Sequence, residues 1–99
     1  MTTYRLTQRA RRDLVEIWSY IAEDNEAAAD RLIDLLAASF RILGQNPRLG
    51  RSRDDLRQSC RSFVVGQYVI IYRVAKPGVQ ILHVLHGKRD VLTRISHAE

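Results

Sequence analysis

The apolar residues of this 99-residue chain change their period once, and that change constrains the fold more than any other feature. Up to Leu43 they recur at helical spacing. From Arg61 onward they crowd into short, β-branched runs. Between Gln8 and about Glu23, the residues Ala10, Leu14, Ile17, Trp18 and Ile21 are separated by steps of 4, 3, 1 and 3, one face of a helix. Thr7 stands where a capping hydroxyl is needed. Between Glu26 and Leu43, the residues Ala29, Leu32, Ile33, Leu36, Phe40 and Leu43 form a second stripe, and Gly44 reads as its stop. The break at Asp24-Asn25, where Asn25 can serve as a cap or turn residue, leaves a link so short that the two helices must fold back as an αα-hairpin.

The second half predicts strands. Arg61–Val65, Tyr68–Ala75 and Val79–Leu85 are bounded by Gly66-Gln67 and by Lys76-Pro77-Gly78, which is the punctuation of an antiparallel meander. Tyr4-Arg5-Leu6 alternates and predicts a short first strand, while Gln45–Cys60 has no period and reads as a loop. The expected architecture is α+β in one domain: a strand over about 3–7, helices over about 8–23 and 26–44, a meander over about 61–86 and a polar tail over 87–99. The helical hairpin packs on a three- to four-stranded antiparallel sheet. Strand 68–75 is apolar on both sides, so its face away from the helices, if uncovered, is a patch that asks for a partner.

Charge is lopsided. Residues 1–50 carry 7 Arg against 7 acids, whereas residues 51–99 carry 7 Arg and 2 Lys against 4 acids, so the whole net charge of +5 lies in the second half. A localised basic surface implies an acidic partner, either nucleic acid or an acidic protein segment. The single cysteine, Cys60, excludes an intramolecular disulfide and fits a reducing cytoplasm. No apolar run opens the chain, and Tyr68–Tyr72 is far too short to span a bilayer, so neither a signal peptide nor a membrane is expected.

Taken in order, several residues form a recognisable set. They are Tyr4-Arg5-Leu6, Ala10, Asp13-Leu14, Ile17-Trp18, Tyr20, Leu43, Asn46-Pro47 and Leu49-Gly50. Then come Leu56, Arg61, Gly66, Tyr68, Ile71-Tyr72-Arg73, Ile81, Val84-Leu85-His86 and Arg89-Asp90. This set resembles the RelE/ParE superfamily of type II toxin–antitoxin toxins, and within it the ParE branch. The resemblance implies a toxin that poisons DNA gyrase by binding it. It also implies a cognate ParD-like antitoxin whose acidic C-terminal tail silences the toxin. The RelE branch instead cuts messenger RNA in the ribosome.

RNA cleavage by 2′-OH attack needs a base, an acid and cations around the phosphate. The RelE branch places lysines or a glutamate, arginines and a C-terminal tyrosine there. This chain has Tyr72 as its last tyrosine and Lys76 and Lys88 as its only lysines. Its loop offers Arg48, Arg51, Arg53, Arg57 and Arg61, which cannot serve as neutral-pH bases. Those arginines, with Arg73 and Arg89, are the candidate partner-binding residues. Arg73 is either a snorkelling sheet residue or part of an anion site. His83 and His86 lie three apart on a strand, hence on opposite faces, which argues against a joint metal or acid/base site. His83 reads as a sheet residue and His86 stays open.

The leading expectation is therefore a binding toxin directed at gyrase, with no catalytic residue, metal, cofactor, membrane or small-molecule substrate. The alternative is a RelE-like ribosome-dependent endoribonuclease using Arg61, Arg73 and His86. A second alternative is a plain basic nucleic-acid-binding module.

Overall fold

The computed structural model describes residues 3–55 and 59–87. Its elements run β1 (Tyr4–Leu6), α1 (Gln8–Ala22), α2 (Glu26–Gln45), β2 (Arg51–Ser52), β3 (Arg61–Val65), β4 (Tyr68–Val74) and β5 (Val79–His86). The expected tail, from residue 88 on, lies outside the described residues.

Both helices start on the residues their sequence marks. Thr7 caps α1, its hydroxyl accepting the Ala10 N–H at 3.0 Å. Asn25 caps α2 in the same way, through the Ala28 N–H at 3.0 Å. Trp18 is half-buried between the helices and donates its indole N–H to Asp30 at 2.8 Å. The end of α2 differs from the sequence reading. Gly44 lies inside the helix, which runs on to Gln45 and is capped by Asn46. A Cβ at Gly44 would collide with Thr3, so this glycine serves a close approach between α2 and the chain entering β1.

The sheet has five strands in the order β1-β5-β4-β3-β2. The meander expected over 61–86 is its antiparallel centre. Two strands are added at the edges. β1 pairs parallel to β5, Tyr4 opposite Val79, which makes the sheet mixed and not purely antiparallel. β2 pairs only Arg51 with Ser62 and Ser52 with Arg61, inside the stretch read as loop. The sequence signal for both was weak because each is three residues or fewer.

One face of the sheet meets the hairpin. Leu36, Phe40 and Leu43 of α2 pack with Ala10 of α1 and with Ile70, Tyr72, Val79, Ile81 and Val84. Each fully buried large apolar side chain contributes about 1.5–3 kcal/mol. The other face does not stay open. Cys60, Val69, Ile71 and Leu85 are buried there as a second cluster, with Leu82 packed against it. The apolar patch expected on β4 is thus already buried.

A bulge sets which β5 residues face the helices. The register passes from Tyr72↔Ile81 to Ile71↔His83, leaving Leu82 as the extra residue. Strict alternation from Val79 and Ile81 would have turned His83 toward the hairpin; the bulge turns Val84 there instead.

Candidate functional site

The β5 edge is where the helices and the sheet are locked together. β1 ends at Leu6, so β5 beyond Ile81 has no strand on that side. Side chains of the α1 region take over the ladder. The Thr7 hydroxyl donates to Leu82 O at 3.0 Å, and Asp13 Oδ2 accepts the Val84 N–H at 3.0 Å. Asp13 is buried, with Arg9 Nε 4.0 Å away and His83 Nδ1 3.8 Å away. The sequence did carry a signal for it: Asp13 interrupts the apolar face defined by Ala10, Leu14 and Ile17. His83 is itself buried beside Asp13.

The arginine-rich loop is held by a second lock. Arg61 and Tyr72 are directly paired across β3 and β4. Tyr72 is fully buried, and its hydroxyl accepts the Gly50 N–H and donates to Pro47 O, both at 2.8 Å. Arg61 donates from Nε to Gly50 O at 2.9 Å and from Nη2 to Arg48 O at 3.1 Å. Pro47, Gly50, Arg61 and Tyr72 thus form one clamp, which gives a physical reason for their joint place in the motif set. A Cβ on Gly50 would strike the Tyr72 hydroxyl and stand 2.7 Å from Ser62 O.

The described candidate arginines fall into two places. Arg48, Arg51, Arg53 and Arg61 gather at the end of the sheet where β3 begins, around the clamp. Arg53 is tied to Asp55 by two bonds of 3.0 and 3.1 Å. That hydrogen bond raises the Arg53 guanidinium pKa and holds the exposed Asp55 carboxyl below its ordinary range. Arg73 lies at the same end but on the opposite face, because it follows Tyr72 on β4, and it donates to Gln80 at 2.8 Å. Arg57 and Arg89 lie outside the described residues.

His86 is elsewhere. It pairs with Tyr68, four residues along β4 from the Arg61 partner Tyr72, or about 14 Å. Its ring meets Tyr68 edge-on at 5.2 Å, and Nε2 lies 3.2 Å from Gln67 Oε1. Burial, and the nearby Tyr20, push the Tyr68 phenol above its ordinary value. Among the described residues, no group of three His, Cys, Asp or Glu side chains could hold a metal ion. Likewise, no described helix is long and apolar enough to cross a membrane.

A helical hairpin laid on a meander, with an N-terminal strand parallel to the last one, defines a RelE/ParE-type toxin fold. The family model for the ParE toxin of the type II toxin–antitoxin system parDE matches residues 4–91, and the chain belongs to that family. Toxin ParE1 of Caulobacter vibrioides is 36% identical over 88 residues, spanning 87% of this chain and 90% of the relative. Toxin RelE3 of the same organism is also 36% identical, over 88% of this chain and 96% of its own. Among solved structures, the chromosomal ParDE toxin–antitoxin system of P. aeruginosa superposes with a TM-score of 0.74 at 20% identity. It covers 89% of this chain and 98% of that one. The RelBE2 toxin–antitoxin complex of Mycobacterium tuberculosis gives a TM-score of 0.55 at 28% identity, over 84% and 94% of the two chains.

Proposed function

We propose that this toxin acts by binding DNA gyrase, without bond-breaking chemistry of its own, and that an antitoxin with an acidic tail neutralises it. One observation carries the choice of mechanism: the three residues assigned to the endoribonuclease alternative, Arg61, Arg73 and His86, do not converge. Arg61 is on the helix side of β3 and spends two donors on backbone carbonyls. Arg73 is on the far face, and His86 is at the far end. A single scissile phosphate cannot be held by groups so placed, because phosphoryl chemistry demands donors within hydrogen-bond reach of one centre. An antitoxin partner is supported by family membership, by the likeness to the toxin of the RelBE2 toxin–antitoxin complex and by the basic second half of the chain.

The experiment is purified toxin with gyrase and relaxed plasmid. Loss of supercoiling, with cleaved DNA trapped on the enzyme, is expected. Undiminished supercoiling at excess toxin overturns the reading. The ribosome-dependent alternative keeps one specific support, the similarity to Toxin RelE3. Primer extension on messenger RNA after induction addresses it: codon-boundary cuts that disappear in Arg61→Ala would favour cleavage.

A further inference from the structure

Beside the Tyr72 clamp lies an open pocket of about 340 Å³. Arg48, Ser52, Asp54, Ser59, Cys60 and Arg61 are among its lining residues. Its chemistry is that of a donor set. Two arginines and two serines line it with a single acid, Asp54, beside Cys60 and Val74, and the neighbouring Arg53 and Asp55 neutralise each other outside it.

Two features pre-arrange these donors. Arg61 is held by the carbonyls of Gly50 and Arg48, which fixes its planar fork and leaves three of its five N–H groups beyond those two bonds. Ser59 has φ +65, a left-handed conformation uncommon outside glycine. Its N–H is held at 3.0 Å by Asp54 Oδ1, so the one acid of the pocket is occupied in fixing that turn. Backbone held in such sparsely populated regions concentrates where ligands are gripped.

We propose that this pocket binds the phosphoryl group of a small phosphorylated molecule. A phosphoryl group offers acceptor oxygens in several directions, matching a guanidinium fork and hydroxyls set around it, whereas a carboxylate accepts in one plane. The volume exceeds what a bare ion needs and falls at the small end of pockets that take organic ligands, about 300–1,000 Å³. A mononucleotide is the size that fits. The proposal does not depend on gyrase being the target.

The test is a ¹H–¹⁵N NMR titration of the full chain with three separate probes: inorganic phosphate, adenosine 5′-monophosphate and glutamate. Saturable shifts of the Ser52, Ser59, Cys60 and Arg61 amides are expected with the phosphorylated probes. A response to the nucleotide alone assigns a nucleotide source, and an equal response to phosphate assigns the free ion. Arg48→Ala, whose side chain is exposed, should weaken binding by about tenfold, the equivalent of one charged hydrogen bond. Asp54→Asn keeps an acceptor for the Ser59 N–H while removing the opposing charge, so it should tighten binding. Arg41→Ala, an equal charge loss on exposed α2 surface, should leave binding within about twofold.

Any of four results overturns the site. These are no saturable shift up to tens of millimolar, glutamate binding as tightly as phosphate, Arg41→Ala weakening binding as much as Arg48→Ala, or no tightening in Asp54→Asn.

Discussion

A single carboxylate shows how much one side chain can decide here. Asp13 stands on the buried face of α1 and accepts the Val84 N–H, continuing the β5 ladder past the point where β1 stops. Replacing it by alanine leaves a buried donor without its acceptor, a loss of about 1–3 kcal/mol. Asparagine keeps an oxygen at nearly the same place and should cost clearly less. Urea unfolding of Asp13→Ala and Asp13→Asn separates the two effects. Equal midpoints for both would mean that the Val84 bond is not what Asp13 contributes. Tyr72 works in the same manner at the other end of the sheet, where its hydroxyl satisfies both Gly50 and Pro47.

Elements are set by local rules until something packs against them. Both helices obey their capping residues and their apolar stripes. Gly44 is the exception, a residue that propensity alone would place at a helix end. It tests the two explanations by sign. In an open helix interior, Gly→Ala stabilises by about 0.5–1 kcal/mol. In this helix the new methyl would run into the Thr3 side chain and its carbonyl oxygen. That oxygen cannot move freely, since it accepts the Val79 N–H at 3.0 Å and anchors β1 to β5. We expect Gly44→Ala to lower stability by about 1–3 kcal/mol. A rise in thermal midpoint would show that propensity, not close approach, governs this position.

At the scale of the molecule, the sheet separates the groups that a single cleavage site would have to join. Arg73 stands one residue past Tyr72, the cross-strand partner of Arg61, and faces the opposite way, and His86 lies at the far end. If gyrase is bound, the two arginines meet different parts of its surface. The half-inhibitory concentrations of Arg61→Gln, Arg73→Gln and the double variant should then combine additively, within about 0.5 kcal/mol. A coupling well above 1 kcal/mol would place both arginines on one shared ligand and revive the cleavage reading. The lopsided charge acts at this scale too. The loop Gln45–Cys60 carries four arginines against two aspartates, and the Tyr72 clamp ties its Pro47–Gly50 stretch to the body of the protein.

The helical hairpin, the three central strands and the caps Thr7 and Asn25 are legible in the sequence. Those depend on periodicity and on side chains bonding to backbone a few residues away, and both can be read along the chain. The sequence also located the basic half, since charge is additive along a polymer. The parallel pairing of β1, the two-residue β2 and the place of Gly44 inside α2 emerge once the chain is folded. Closure of the second sheet face, the bulge at Leu82 and the two locks around Asp13 and Tyr72 were likewise settled in three dimensions. Each of these is a contact between segments distant in sequence, sometimes made by a single residue, and a pattern needs several residues before it can be seen. The same reason hid the phosphoryl pocket, whose arginines were visible as charge but whose geometry depends on Arg61 reaching back to Gly50 and on one left-handed serine.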